Sequence, residues 1–517
     1  MRFRTAEEDA RAEAAGSLHV LTCGSVDDGK STLIGRLLWD TAGLHADQRE
    51  TLQRSPKTAA GTPDFSLLVD GLAAEREQGI TIDVAWRYLD AQGRRLVIID
   101  SPGHEQYTRN MATGASHADV AILLVDARGG IKQQTRRHAA ILDLIGVRRV
   151  VLAINKMDLV GWSETRFAEI GAEFAKLAQR FGFDDAVAIP VSAVLGDNIA
   201  RRSLAMPWYG GVPLLEHLAG LPARGIPSAG AFRFPVQLVV RAGQDFRGLA
   251  GTVSAGEIKV GDDVVEPVGG RRARVRRIVT MGRDLEAARQ GQAVVLQLDA
   301  DIDVSRGAVL ASPGREPAVA RGLDARLVWL SDERFSADRG YLLRTATDLI
   351  PIASIEIRAH LDLETLAERQ AATCAANDIA VARIDLSRSA AIDLFSDQCE
   401  TGTFMLIDPI TGASVAGGVV RATHLPEARL STNAFRLTRD LIARGIGADL
   451  AGRADADSER ELRRRANEVA ILLRQAGVAV ELDDEQGAAG GRAAAAWPGV
   501  VAVLSLGFVA AVLLGLI

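Results

Sequence analysis

A phosphate-binding signature close to the amino terminus constrains the fold more than any other feature of the 517-residue chain. The run GSVDDGKS fits the pattern G-x-x-x-x-G-K-[ST], with an apolar strand predicted before it at Leu18–Cys23 and a helix after it at Thr32–Trp39. A strand, a glycine-rich loop and a helix in this order predict an α/β domain that binds nucleotide phosphates. The residues expected at the phosphates are Gly24, Ser25, Val26, Asp27, Asp28, Gly29, Lys30, Ser31 and Thr32.

The chemistry of this loop follows from its residue types. Its glycines let backbone N–H groups turn inward around the phosphates, and the start of the following helix adds a favourable dipole. Lys30 is expected to neutralise the β- and γ-phosphates, which makes it a catalytic candidate, and the hydroxyl of Ser31 is expected to bind Mg²⁺. The sequence therefore predicts a nucleoside triphosphate and Mg²⁺ as cofactors.

Two further segments supply groups that a hydrolytic site needs. The predicted strand Arg95–Asp100 ends in an acid that can hold Mg²⁺ through a water molecule, and Thr81, in the tripeptide GIT (79–81), can supply another magnesium ligand. His104 can orient the attacking water, with a structural loop histidine as the alternative. Thr81 and His104 are thus further catalytic candidates. In the segment that begins at the end of the strand Arg95–Asp100, the residues expected at the nucleotide are Asp100, Ser101, Pro102, Gly103 and His104.

A third group of residues selects the base. The run NKMD, residues 155–158, follows the predicted strand Val150–Asn155. The carboxylate of Asp158 can accept hydrogen bonds from N1 and N2 of guanine, whereas adenine offers no such pair of donors. The sequence therefore predicts GTP as the nucleotide.

The neighbours of Asp158 are expected to complete the guanine pocket. Asn155 can brace the loop or contact N7, and the aliphatic stem of Lys156 can lie over the base. Ser192-Ala193, after the predicted strand Val187–Val191, can add a backbone N–H to guanine O6. The residues expected at the base are Asn155, Lys156, Met157, Asp158, Ser192 and Ala193.

The pattern along the chain indicates several domains. Alternating apolar strands and amphipathic helices over residues 17–220 predict a parallel sheet covered on both faces, and glycine-punctuated β runs predict β-barrels at 232–320 and 323–422. The predicted fold class is an α/β P-loop domain followed by two β-barrels, a short helical remnant and an apolar C-terminal helix. The remaining segments are an N-terminal extension, 1–16, a degenerate helical segment, 435–485, and the apolar segment, 497–517.

Charge and hydropathy narrow the expected partners. The formal net charge is −6 and no long Lys/Arg run occurs, so no nucleic-acid partner is expected. The segment 497–517 has no charged residue, and about 20 apolar residues span a hydrocarbon core of ~30 Å. This segment predicts a membrane tether; a buried helix or strand, or a tail without a role, is the alternative. The expected location is the cytoplasm, with tethering to the inner membrane through this segment.

The order of these motifs resembles the translation elongation factor superfamily of GTPases over residues 17–422. Within that superfamily the chain is similar to the large GTPase subunit of bacterial sulfate adenylyltransferase. Elongation factors usually have histidine before the Gly-Lys of the phosphate loop, whereas Asp28 occupies that place in the run VDDGKSTLIGRLL. Three other runs also resemble that subunit: DVAWRYL (83–89), RGYLLRTATDLIPIASIEIRAHL (339–361) and ETGTFMLIDPITGASVAGG (400–418).

The resemblance implies a function that the chain performs with a partner. A small catalytic subunit, in a heterodimer or a higher assembly, would form adenosine 5′-phosphosulfate and pyrophosphate from ATP and sulfate, and the GTPase would drive this uphill reaction. The segments around Thr81 and Gly103–Tyr107 are the expected moving parts. A translation factor that binds tRNA and the ribosome is the alternative function.

The C-terminal region resembles part of adenylylsulfate kinase, to which this GTPase is fused in some bacteria. The resemblance lies in RGIGADL (444–450) and the predicted helix after it, where Ser458 and Glu461 have capping-box spacing and Gly477 is a C-terminal stop. Residues 422–442 contain no second phosphate-loop pattern. Residues 435–485 are therefore predicted to be a degenerate kinase remnant without activity; a bifunctional chain that also phosphorylates adenylylsulfate is the alternative.

Overall fold

The computed structural model describes residues 17–41, 50, 52, 62–69, 81, 83–222, 230–242, 246–425, 435–437 and 480–482. The chain forms two units, Met1–Leu425 and Pro426–Ile517. The first unit holds an α/β domain followed by two β-barrels, in agreement with the predicted fold class.

Six strands form the central sheet of the α/β domain, in the order β2-β3-β1-β4-β5-β6. All of them except β2 run parallel, and every residue of the central strand β4 is buried, as expected for a sheet covered on both faces. The strands are β1 (Leu18–Gly24), β2 (Ala85–Ala91), β3 (Arg94–Asp100), β4 (Val120–Asp126), β5 (Arg149–Asn155) and β6 (Asp185–Pro190).

Within the part of the chain that the structure describes, five helices cover the two faces of this sheet. Helices α1 and α5 pack on one face through residues such as Leu33 and Leu218. Helices α2, α3 and α4 pack on the other face through residues such as Met111, Ile141 and Phe174. Each of the longer helices turns one apolar side to the sheet, which is why its apolar residues recur at helical spacing. The helices are α1 (Lys30–Asp40), α2 (Thr108–Ser116), α3 (Gln133–Ile145), α4 (Glu164–Phe181) and α5 (Leu214–Gly220).

The predicted parallel sheet differs at one edge, where β2 runs antiparallel to β3. The two strands are joined by Gln92 and Gly93, whose φ angles of 49° and 86° are those of a tight two-residue hairpin. A connection this short cannot contain the crossover that a parallel pair needs. The sheet is therefore mixed, with one antiparallel strand at its edge.

Six antiparallel strands close the first barrel in the ring β10-β15-β7-β8-β14-β11, in which β10 also pairs with β11. Its core contains large apolar side chains such as Phe232, Phe234 and Leu249. Outside the ring, strand β12 pairs with β11, and β9 pairs with β13. The strands are β7 (Arg233–Ala242), β8 (Phe246–Thr252), β9 (Glu257–Lys259), β10 (Asp263–Glu266), β11 (Arg271–Thr280), β12 (Arg283–Leu285), β13 (Ala287–Arg289), β14 (Ala293–Leu298) and β15 (Val309–Ala311).

The second barrel is closed by the ring β17-β21-β22-β16-β20-β18, in which β17 also pairs with β18. Trp329 is buried in its core and packs edge-on against Phe335 and Tyr341. Outside the ring, strand β19 pairs with β18. The strands are β16 (Ala318–Trp329), β17 (Leu342–Arg344), β18 (Leu349–Leu361), β19 (Glu368–Gln370), β20 (Ile379–Ile392), β21 (Thr403–Ile407) and β22 (Ser414–His424).

The second barrel packs directly on the α/β domain. The core beneath α2, α3 and α4 continues into the barrel residues Val328, Phe395 and Val419. Gly146, which ends α3 with φ 84°, lies so close to Phe395 that a Cβ atom there would be 2.6 Å from the ring. A glycine is needed at this position both to end the helix and to let the barrel approach.

A buried ion pair joins the two barrels. Arg233, at the start of β7, donates two hydrogen bonds of 2.9 and 2.8 Å to the carboxylate of Asp393, just after β20. Both side chains are nearly inaccessible, at 5% and 6% exposure, and Thr401 donates to the same carboxylate. Since each charge would be costly to bury alone, the pair fixes the junction between the barrels.

The C-terminal predictions fall largely outside the described residues. Strand β23 (Phe435–Leu437) pairs in parallel with β24 (Val480–Leu482), and both lie within the predicted 435–485 segment. The rest of that segment, the extension 1–16 and the apolar segment 497–517 are outside the described residues. Within the part of the chain that the structure describes, no helix is both long and apolar enough to span a bilayer. The domain limits given above stay predictions.

The Arg233–Asp393 pair gives a first testable expectation. Asp393→Ala leaves a buried guanidinium without its counter-charge. We therefore expect the free energy of unfolding to fall by about 3–5 kcal/mol and calorimetry to show a lower midpoint of thermal unfolding. The double change Arg233→Met with Asp393→Leu removes both charges and should recover most of the midpoint. A midpoint for Asp393→Ala equal to that of the unaltered protein would contradict this account.

Candidate nucleotide-binding site

The predicted nucleotide motifs meet at one edge of the central sheet. Strand β1 ends at Gly24, β3 at Asp100 and β5 at Asn155, and β6 leads into Ser192. These strands are parallel, so their carboxyl ends lie side by side, in the order β3-β1-β4-β5-β6. The phosphate motifs therefore follow two adjacent strands and the base motifs follow another adjacent pair, in the crevice where open α/β sheets bind ligands.

The loop between β1 and α1 is folded around the side chain of Lys30. Gly29, with φ 94°, caps α1 in a left-handed conformation that favours glycine. Lys30 is 7% exposed, and its ammonium group donates to the carbonyl oxygens of Gly24 and Ser25 at 3.1 and 2.9 Å. Burial lowers the pKa of Lys30, and the nearby Asp100 and Asp28 carboxylates oppose that change only in part. A buried cation is thus held at the base of the phosphate loop.

One polar atom of the same loop is buried without a partner. The Oγ atom of Ser25 makes no hydrogen bond with the residues that the structure describes. A buried hydroxyl without a partner is costly, and a phosphate oxygen beside it would supply the missing acceptor. The loop therefore has a donor, a cation and a helix amino terminus available to phosphate. This is the chemistry that a polyphosphate needs.

The segment after β3 lies against the phosphate loop. Ser101 Oγ donates to the Thr22 carbonyl at 2.7 Å, and Thr22 Oγ1 lies 3.4 Å from the buried carboxylate of Asp100. A Cβ atom added at Gly103 would lie 2.8 Å from the Gly24 carbonyl and would also strike Lys30 Nζ. Only glycine fits this contact, so the sequence run DSPG and the phosphate loop form one surface, with buried Pro102 between Ser101 and Gly103.

His104 is half-buried and begins a short 3₁₀ helix, Glu105–Tyr107. Its Nδ1 atom accepts the N–H of Gln106 at 3.3 Å, and its ring packs edge-on against Tyr107 with centroids 6.2 Å apart. Both contacts restrict the ring. With Nδ1 accepting a hydrogen bond, the neutral ring carries its proton on Nε2.

Asn155 connects the phosphate loop with the residues expected at the base, 155–158 and 192–193, which together form the base corner. Its Nδ2 atom donates to the Asp28 carbonyl at 2.9 Å, and its Oδ1 atom accepts the N–H of Ala193 at 3.0 Å. The side chain is 2% exposed, and both ends of its amide are used within the chain. Of the two roles considered for Asn155, the geometry favours bracing the loops.

Lys156 makes a second connection between these loops. Its ammonium group donates to the Asp27 carbonyl and lies 3.0 Å from the Asp126 carboxylate. Burial alone would raise the pKa of Asp126, but hydrogen bonds from Arg128 and Lys156 outweigh it and hold the pKa below its usual range. Asp126 therefore stays ionised and fixes both cations beside the pocket.

The other base-corner residues lie around this frame. Met157 is fully buried and anchors the 3₁₀ helix Met157–Val160, in which Asp158 is half-buried. The N–H of Ser192 donates to the Asp197 carbonyl at 3.2 Å, and the N–H of Ala193 is used by Asn155. Both N–H groups thus have partners in the chain, and their predicted contact with guanine O6 stays a prediction.

The predicted magnesium ligands are hard oxygen donors, which is the donor set that Mg²⁺ prefers. Ser31 and Thr81 are half-buried hydroxyl residues and Asp100 is a buried carboxylate at the end of β3. Residues 79 and 80, next to Thr81, are outside the described residues. Val26, Asp27 and Thr32 line the loop, with Asp27 exposed and the other two half-buried.

Helix α3 contributes polar residues that sequence reasoning missed. Arg137 donates to Glu105 at 3.1 Å and to the side chain of Gln134 at 2.7 Å. His138 is fully buried, and burial, followed by the charges of Lys30 and Arg137, lowers its pKa to about 3. The signal was a polar run, QQTRRH, at the start of an otherwise apolar helix. These side chains place α3 between the phosphate loop and the segment after His104.

The second barrel also contacts the segment after His104, which the sequence did not indicate. Asn377 Nδ2 donates to the Glu105 carbonyl at 3.1 Å. Arg109 donates to the carbonyls of Leu330 and Ser414, both at 3.1 Å. The segment 104–109 is therefore hydrogen-bonded to α3 on one side and to the second barrel on the other.

Comparison with known families agrees with this geometry. Residues 16–227 match the model of the elongation factor Tu GTP binding domain, and residues 322–421 match the GTP-eEF1A C-terminal domain-like family. The first match contains every nucleotide motif described above. The second covers most of the second barrel.

Curated relatives are similar over four fifths of the chain. A bifunctional enzyme NodQ of Rhizobium sp. (strain N33) is 46% identical over 414 residues, which are 80% of this chain and 64% of that protein. Sulfate adenylyltransferase subunit 1 of Vibrio vulnificus (strain YJ016) is 44% identical over 83% of this chain and 91% of that protein. The corresponding subunit of Methylorubrum extorquens is 45% identical over 78% of this chain and 87% of that protein.

These matches confirm the resemblance drawn from the motifs and do not favour the alternative of a translation factor. The chain spans less than two thirds of the length of the NodQ relatives, but nearly the whole of the subunit 1 relatives. The chain therefore belongs to the sulfate adenylyltransferase subunit 1 family, and its amino-terminal domain is a GTP-binding domain of the elongation factor Tu type.

Proposed function

We propose that this chain is the GTP-hydrolysing subunit of a sulfate adenylyltransferase. In this role it couples GTP hydrolysis to the formation of adenosine 5′-phosphosulfate and pyrophosphate from ATP and sulfate. The observation that carries the proposal is the meeting of the phosphate and base motifs at one sheet edge, in a chain of this family. The following roles are assigned on that basis.

The phosphate loop binds the triphosphate through charge and hydrogen bonds. Lys30 Nζ, now donating to two loop carbonyls, lies where it can also donate to the β- and γ-phosphates. The unpartnered Ser25 hydroxyl and the amino terminus of α1 add further donors. Because Lys30 is buried, its interaction with phosphate is strengthened by the low local dielectric.

Ser31, Thr81 and Asp100, the last through a water molecule, would hold Mg²⁺. A magnesium ion held there would supply positive charge that offsets the negative charge developing on the transferred phosphoryl group. The Asp100 carboxylate lies beside Thr22 Oγ1, which limits its orientation. Gly103 can offer its N–H to the γ-phosphate, since it already lies against the phosphate loop.

His104 is assigned to the attacking water. Its Nδ1 atom accepts the Gln106 N–H, so Nε2 is the ring nitrogen that would contact water and orient it toward the γ-phosphate. The edge-on contact with Tyr107 holds the ring plane. Positioning of this kind is the main contribution a protein makes to phosphoryl transfer.

Guanine selection is assigned to Asp158. Its carboxylate would accept hydrogen bonds from N1 and N2 of the base, while Asn155 and Lys156 hold the corner in place. A buried acceptor pair left without donors is costly, which disfavours adenine. Guanine selection thus rests on the match between the Asp158 carboxylate and two donors that only guanine offers.

Coupling to a partner requires contacts that link the nucleotide site to the rest of the chain. The segment 104–109 contacts both α3 and, through Asn377, Leu330 and Ser414, the second barrel. A change in this segment on loss of the γ-phosphate would alter those contacts. We assign the small catalytic subunit as the partner, in a heterodimer or higher assembly whose equilibrium this change biases.

The guanine assignment is tested by Asp158→Asn. The amide replaces one acceptor by a donor, so we expect GTP affinity to fall at least about tenfold and xanthosine triphosphate to bind instead. Titration with fluorescent analogues of both nucleotides measures the change. Asp184→Asn, at an exposed carboxylate, is the control. Unchanged GTP affinity in Asp158→Asn would refute the role of this residue.

The contact at Gly103 is tested by Gly103→Ala. The added methyl group would strike Lys30 Nζ and the Gly24 carbonyl and displace the phosphate-binding groups, so we expect GTP turnover to fall by about 10–100-fold, measured as phosphate release. Gly171→Ala, in α4, is the matched control because a Cβ atom there meets no neighbour within 4 Å. Wild-type turnover in Gly103→Ala would contradict the close approach.

The function as a whole is tested on the co-expressed pair of subunits. Pyrophosphate release from ATP and sulfate is expected to rise when GTP is added, and Lys30→Ala is expected to abolish that rise. An equal rate with and without GTP in the unaltered pair would refute the coupling. Adenylylsulfate phosphorylation by the isolated chain would instead support the bifunctional alternative.

A further inference from the structure

The phosphate loop contains a buried carboxylate. Asp28 is 1% exposed, and its Oδ2 atom accepts the N–H of Ser25 at 2.8 Å. Its other oxygen, Oδ1, forms an ion pair with Lys132 Nζ at 3.0 Å. A negative charge is thus built into a loop that, under the proposed function, must bind a polyanion.

This charge needs compensation. A buried carboxylate without a counter-ion is strongly disfavoured, and its repulsion of phosphate is largest where solvent screening is weakest. Lys30 is close enough to influence Asp28, but its ammonium group donates to the Gly24 and Ser25 carbonyls and is assigned to the phosphates. The ion pair that Asp28 forms in the structure is with Lys132.

The backbone holds Lys132 in position for this pair. Lys132 immediately precedes α3, where its N–H donates to Thr135 Oγ1 at 3.2 Å and its carbonyl accepts the N–H of Arg136 at 3.1 Å. Its side chain is 43% exposed, in contrast to the 1% of its partner. Water can therefore solvate the lysine if the pair is broken, but not the carboxylate.

We propose that Lys132 is a positioning residue for nucleotide binding, which neutralises Asp28 and so allows the phosphate loop to accept the polyphosphate. The inference rests on the proposed function, because it requires that the loop bind a guanine nucleotide. Loss of Lys132 leaves the carboxylate buried, unpaired and beside the phosphates. Loss of both charges removes the repulsion, while an asparagine at position 28 keeps an oxygen for the Ser25 N–H.

The test compares the affinity of the full chain for fluorescent GDP and GTP analogues among four proteins. They are the unaltered chain, Lys132→Met, the double change Asp28→Asn with Lys132→Met, and the control Lys176→Met. Lys176 is an exposed lysine of α4, so its substitution makes the same change of net charge away from the loop. The GDP comparison shows whether the effect needs the γ-phosphate.

We expect Lys132→Met to raise Kd about tenfold for GDP and GTP alike, because both carry the phosphates that the loop surrounds. The double change should return Kd to within about threefold of the unaltered chain, a rescue that simple loosening of the loop would not give. Equal Kd in Lys132→Met and the control would overturn the proposal. So would a double change as weak as Lys132→Met, since the lysine would then act on the nucleotide directly. If the unaltered chain itself bound neither nucleotide, the proposed GTPase function would be refuted, whatever the variants at Lys132 showed.

Discussion

The side-chain amide of Asn155 holds the two halves of the nucleotide site together. One end donates to the Asp28 carbonyl of the phosphate loop and the other accepts the N–H of Ala193 after β6. An amide with both ends satisfied and 2% exposure has little freedom, so the loops it joins are fixed relative to each other. Together with Lys156, which donates to the Asp27 carbonyl, Asn155 sets the spacing between the phosphate loop and the base corner, on which recognition of a whole nucleotide depends.

The cations in and around the phosphate loop each have an acceptor within the chain, and the two carboxylates among these acceptors are buried. Lys156 and Arg128 share Asp126, Lys132 pairs with Asp28, and Lys30 is held by two loop carbonyls. Each cation thus has a partner in the chain before any phosphate arrives. A preorganised arrangement of this kind reduces the cost of ordering the site when the ligand binds. It also means that single charge changes are more disruptive than paired ones.

Helix α3 and the second barrel give the nucleotide site its connection to the rest of the molecule. The helix meets Glu105 through Arg137, and its far end meets Arg326 of the barrel through Asp143 at 3.1 Å. The barrel in turn holds the Glu105 carbonyl through Asn377. Helix α3 and the second barrel share one apolar core, so the segment after His104 is hydrogen-bonded to two elements that are packed on each other.

The sequence by itself determined the α/β domain, the two β units and the location of the nucleotide motifs, because these depend on local patterns: apolar strands, glycine turns and short signatures at strand ends. Only the tertiary structure decided the antiparallel edge strand β2, the two hydrogen bonds of the Asn155 amide and the pairing of Asp28 with Lys132. It alone also placed Asn377 against Glu105, 272 positions away in the chain. Such contacts join residues that no local pattern links, since they arise from the packing of separate elements, and a sequence read without that packing cannot supply them.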